Sequence, residues 1–160
     1  MAEAHRNRLR AALISGSAAS VLSSLVLSWR SARETRHATA GTNATSHWIW
    51  GGPARHRLAP DLSHTVVGYA IHHAASMFWA AWYEAAFPRS RSLPGACARA
   101  AATAAIACFV DFRLTPRRFT PGFETHLSRR SLAVVYAAFA FGLVAPAAAT
   151  AMRRRRSRVG

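Results

Sequence analysis

The chain contains no lysine, so all 21 of its basic side chains are arginine, and six acidic residues oppose them. The formal charge is +15. A soluble nucleic-acid binder reaches such a charge to neutralise phosphates, usually with arginines interleaved among aromatic residues. Here the arginines cluster between long apolar runs, at residues 6–10, 30–36, 113–118 and 153–158. That alternation argues against nucleic acid and puts the guanidinium groups beside membrane spans, where anionic lipid headgroups lie.

Cysteine is scarce. Cys97 and Cys108 fall in one apolar run, and on a helix they stand roughly 16 Å apart along the axis. Bridged Cα atoms lie within about 7 Å, so an internal disulfide is excluded and both read as small buried apolar residues. Catalytic signatures are equally sparse. Neither H-E-x-x-H nor paired cysteines occur, and no Gly-rich phosphate loop or serine nucleophile elbow is present. A bis-histidine haem needs imidazoles on two facing helices, and a single apolar run carries them. The expectation is a non-enzymatic protein without a cofactor.

What the chain does have is apolar length. Four runs, at about 11–29, 66–87, 94–112 and 132–152, each supply roughly the twenty residues a helix needs to cross the hydrocarbon core. None shows the strict alternation of a half-buried strand. Pro146 in the fourth is tolerable in a membrane helix. The first run competes with a cleaved signal peptide, but it is longer than a signal core and no small-x-small site follows it. The expected fold is therefore all-α, a single-domain four-transmembrane-helix bundle with a long loop at 30–65 and a basic tail at 153–160. Small residues at four-residue spacing (Gly16, Ser20 and Ser24; Ala100 and Ala104; Ala138 and Gly142) would let helix backbones approach closely.

The loops differ in kind. "PRSRSLPG" reads as a tight link. "GTNATSHWIWGGP" brings His47, Trp48 and Trp50 into an interfacial segment and contains a glycosylation-type sequon at Asn43. Two Thr-Pro pairs, at Thr115-Pro116 and Thr120-Pro121, predict extended backbone. With four spans both termini share a side, and the tail abutting its helix places that side in the cytoplasm.

The run "GYAIHHAASMFWAAWYEAAF" raises the chemical question. An ionisable group near the bilayer centre is unfavourable by roughly 2.5–3.5 kcal/mol on insertion scales, so such residues point inward and find partners. Residues eleven apart nearly eclipse on a helix, since three turns take about 10.8 residues, so His73 and Glu84 share a face. His72, Ser76 and Tyr83 share the adjacent one. By depth, Glu84 matches Arg99 of the next span as an ion pair. At the opposite end, His72 and His73 approach Asp111, and His47, Glu124 and His126 sit in the loops that open there. This set reads either as a polar vestibule for protons or a metal ion, or as a hydrogen-bonded knot holding loops to helices. The knot is favoured, because structural networks also gather ionisable residues.

At "GTNATSHWIWG", "GYAIHHAASMFWAAWYE" and "FVDFRLTPRRFTPGFETHLSRRSLAVVYAAFAFG", blocks spanning most of residues 41–142, the chain resembles a family of small bacterial four-helix inner-membrane proteins with no assigned activity. Some members carry a sodium:proline symporter label. Symporters of that class are far longer, with about ten or more spans built as inverted repeats, so a single chain with four does not supply that architecture. The resemblance implies a bacterial inner-membrane location.

The leading functional expectation is a structural or interaction component of the cell envelope, as a homo-oligomer or with a membrane protein partner. The runner-up is a small transporter or channel-like protein that uses His72, His73, Asp111 and Glu84 for protons or a cation. A weaker alternative is a metal-dependent membrane enzyme with its ion on His47, His72, His73 and His126. For the proposed ion pair, Glu84→Gln should lower stability and Arg99→Leu added to it should partly restore it. Additive losses in a double-mutant cycle would remove the pairing.

Overall fold

The computed structural model describes residues 1–86 and 92–157. The tight link expected around Pro88 to Gly95 lies mostly outside these residues, as do the last three residues of the basic tail. The described chain is helical, and no strand occurs within it. In chain order, α1 covers Ala2–Thr35, α2 Ala40–Thr45, α3 His47–Trp50, α4 Val67–Ala86, α5 Leu93–Phe109 and α6 Arg129–Arg156. Three helical segments, His5–Thr35, Leu93–Leu114 and Arg129–Thr150, are long and apolar enough to cross a membrane. These are the marks of a membrane protein. The 20-residue α4 is not among them, because its two histidines, its glutamate and its Trp and Tyr residues dilute its hydropathy.

Helix ends follow local chemistry. Arg36 takes the left-handed conformation (φ 64°) that ends α1, its N–H donating to Ala32 O at 3.0 Å. A π-helical turn at Leu62–Val66 feeds α4, and Asp61 accepts the His64 N–H at its start. Ser92 accepts the Gly95 N–H to cap α5, with proline in the first turn. The helix then runs on through a π-helical turn at Val110–Leu114. Helix α6 continues past Pro146, whose carbonyl takes the Thr150 hydroxyl at 2.9 Å.

Helix α1 is the hub, packed on both α4 and α6, while α5 packs on α6. Its buried face is a ladder of small residues, Ala12, Ser15, Gly16, Ala19, Ser20, Ser23 and Ser31, interrupted by Leu27. Each serine in a helix interior risks an orphan hydroxyl, and Ser15 and Ser23 avoid it by donating to Ala11 O and Ala19 O. Gly16 faces Met77 and Ala80 of α4, and Gly142 of α6 lies directly on the Ala19 backbone. Ala100 and Ala104 of α5 are buried in the same core, with Tyr83, Phe139 and Leu143. The outward sides of α1 carry exposed Leu13, Ile14, Val21 and Leu25. Cys97 is exposed and Cys108 half-buried, which corrects the expectation that both cysteines are buried.

The chain from 36 to 66, expected as part of a long loop, is folded. Helix α1 extends to Thr35, and α2, α3 and a 3-10 turn at Gly52–His56 follow. It packs with the 115–128 segment at one end of the long helices, forming a cap. In that segment Thr115 and Thr120 are extended, as residues before proline must be, with short 3-10 turns at Arg117–Phe119 and Phe123–Thr125.

A Cβ added at Gly142 would lie 2.3 Å from Ala19 Cα, whereas one at Gly52 meets nothing within 4 Å. Gly142→Ala should therefore destabilise the protein by about 1–3 kcal/mol, and Gly52→Ala by under about 0.5 kcal/mol. Denaturant titration in detergent, followed by circular dichroism, measures both; equal midpoints would refute the close α1–α6 contact.

Candidate functional site

The cap is organised around a buried polar segment. Every residue from Ala40 to His47 is buried, so each of its polar groups needs an internal partner. Asn43, with no exposed surface, donates through Nδ2 to Arg57 O and Ala59 O at 3.2 and 2.8 Å and accepts the Thr65 hydroxyl at 2.7 Å. Its sequon is thus closed in the folded protein. Gly41 fits against Leu27 and Ser31, and Gly68 against the Thr42 carbonyl, where any side chain would collide.

Arg55 ties this segment to the other loop. Its Nη2 donates to His47 Nε2 at 2.8 Å, Arg117 O at 2.6 Å and Thr120 Oγ1 at 3.1 Å, while Nη1 lies 3.9 Å from Glu124 Oε1. The Thr120 hydroxyl donates onward to Glu124 at 2.7 Å. His126 donates from Nε2 to Arg55 O at 2.6 Å, and Arg118 donates to His47 O. Trp48 Nε1 donates to Thr120 O at 2.8 Å. Arg55 Nη2 carries two hydrogens, so its three acceptors share them.

His47 is held as a neutral ring. Nδ1–H donates to Ala44 O at 2.8 Å, leaving Nε2 as the acceptor for Arg55. Burial lowers its pKa from the ordinary value of 6.5; the Ala44 bond opposes that shift and the nearby Arg55 charge adds to it. Gly122, at φ 89°, lets its loop pass close over Ala44 O and this ring.

Below the cap lies a cavity of about 480 Å³. Helices α4 and α5, which touch each other little, form its sides, and α6 contributes its base together with Ser23 of α1. Trp48, Phe119 and Phe123 of the cap roof it. His72 and Asp111 both line it. His72 Nε2 lies 2.8 Å from Ser23 Oγ, and the Tyr136 hydroxyl donates to Asp111 Oδ2 at 2.5 Å. The carboxylate thus takes a phenol rather than the imidazole expected from the sequence.

The six candidates of the polar cluster therefore fall into three places. His47, Glu124 and His126 meet around Arg55, and His72 and Asp111 share the cavity. His73 stands apart, near the Tyr69 ring at 5.8 Å, with its Nδ1 buried and without a hydrogen-bond partner. Of the proposed Glu84–Arg99 pair, Arg99 reaches the α4 turn next to Glu84: Nη2 donates to Tyr83 O at 2.8 Å, and its Cζ lies 4.6 Å from the Tyr83 ring centre. Among the described residues, no three His, Cys, Asp or Glu side chains are grouped to hold a metal ion. The sequence reading missed Arg55, Tyr136 and Ser23. It also missed Glu34, which accepts the Ser128 N–H at 2.6 Å and pairs with Arg30 at 3.2 Å where α1 meets the start of α6.

Comparison with protein-family models, curated proteins and solved structures gives no match.

Because the folded pKa of His47 is lowered, the unfolded chain binds the extra proton first. Its contribution to stability is complete above about pH 6.5 and is lost as pH falls from there toward the lowered value. Amide exchange of residues 44–50, corrected for intrinsic rates, should accelerate between pH 7.5 and 5.5, and His47→Gln should flatten that dependence. Unchanged protection across the range would refute the neutral-ring assignment.

Proposed function

We propose that this chain is a four-span protein of a bacterial inner membrane, with both termini in the cytoplasm, and that it serves as a non-catalytic structural or interaction component of the envelope. Three helices meet the length and hydropathy of a span. Counting α4 as the fourth rests on its 20 residues and on its inward Ser76, Ala80 and Tyr83. The arginine-rich tail next to α6 supports the cytoplasmic ends.

The observation that carries the non-catalytic reading is the Arg55 knot. His126 and Glu124 reach Arg55 across the two loops, and His47 accepts from Arg55 within its own segment, so each of these polar residues has a partner in the knot. Such bonding makes the capped end a firm platform for a neighbouring membrane protein or a second copy of the chain. A small proton or cation pathway is the second reading, favoured by the presence of His72 and Asp111 on one cavity.

The protein should remain with membranes through an alkaline carbonate wash; release into the supernatant would end the membrane reading. Under the envelope-component reading, His72→Ala and Asp111→Ala lower the steady-state amount of protein in the membrane several-fold, as broken buried networks do. Normal abundance with loss of ion flux in reconstituted vesicles would favour the pathway instead.

A further inference from the structure

We propose that the cavity beneath the cap binds a lipophilic organic cation, a quaternary ammonium or phosphonium with bulky apolar arms. Its volume of about 480 Å³ lies within the range of small-molecule sites, roughly 300–1,000 Å³. Seven of its lining side chains are aromatic, among them Trp48 and Phe119 from the cap and Phe78 and Trp79 from α4. Ring faces attract cations, and most strongly where water is excluded.

Charge decides between a cation and an anion. The chain carries 21 arginines, yet none lines this cavity among the described residues, whereas the Asp111 carboxylate does. The Tyr136 hydroxyl donates to Oδ2 and fixes the carboxylate's position. An anionic ligand would face that carboxylate with no arginine in the wall to offset it; the one basic group there, the His72 imidazole, is already engaged with Ser23 Oγ at 2.8 Å. A neutral apolar ligand would leave the carboxylate without a counter-charge. A cation with aromatic or alkyl arms satisfies both the rings and the acid.

The architecture also provides access. Phe78, 63% exposed, lines the cavity from α4, and α4 and α5 touch each other little. A ligand partitioned into lipid could enter sideways between them, without passing the hydrogen-bonded cap. Lateral entry depends on the membrane reading; binding itself does not, and full-length protein in detergent tests it separately.

Equilibrium binding of radiolabelled tetraphenylphosphonium to purified, monodisperse protein is the test. Saturable binding with one site per chain is expected. A tenfold excess of neutral triphenylphosphine oxide should displace little of it, a comparison made on the wild-type protein alone. Asp111→Asn keeps the size of the side chain and an acceptor for Tyr136, and should weaken binding at least tenfold, with Asp111→Glu recovering part of the loss. Absence of saturable binding, equal displacement by the neutral compound, or unchanged affinity in a folded Asp111→Asn protein would each overturn the proposal.

Discussion

The close seating of α1 between α4 and α6 is the constraint on which the rest depends. In lipid, apolar side chains gain nothing by leaving one hydrocarbon surface for another, so helices associate through contact at short range and through hydrogen bonds. The buried face of α1 supplies that contact with alanine, serine and glycine. Gly142 then rests on the Ala19 backbone and Gly16 accepts the α4 surface at Met77 and Ala80. With α1 so placed, Ser23 comes within reach of His72, and Leu27 and Ser31 form the bed on which Gly41 lies. The cap inherits its position from this helix.

Much of that frame was legible in the sequence. Apolar length located the long helices, and four-residue spacing identified Gly16 and Gly142 as contact points, because both signals are local. The Thr-Pro pairs gave extended backbone for the same reason. The cap was harder to read. Nothing in the pattern of residues 36–66 announces that "AGTNATSH" is fully buried, since its burial depends on α1, α4 and the 115–128 segment together. Arg55 looked like one arginine among many; its role arises from three acceptors on two segments, which composition cannot display.

The candidate site shows the same division. Helical periodicity put His72 and His73 on adjacent faces and brought both toward Asp111; in the structure His72 and Asp111 line one cavity and His73 stands near Tyr69. It did not anticipate Tyr136, because partner choice between helices depends on rotation about their axes. The phenol and the serine each take one member of the expected pair. The space left between them is lined mostly by apolar and aromatic side chains, which a reading of the ionisable residues alone does not convey.

The closed environment of Asn43 has a practical consequence for producing this protein. Oligosaccharide transfer in the eukaryotic secretory pathway acts on nascent chains, before a segment such as Ala40–Thr45 can dock. If the cap faced the lumen in such a host, a sugar placed on Asn43 would replace one of the two Nδ2 hydrogens that bridge Arg57 and Ala59 and would be far too large for the space α2 occupies. Material from a host lacking that machinery avoids the conflict between modification and folding.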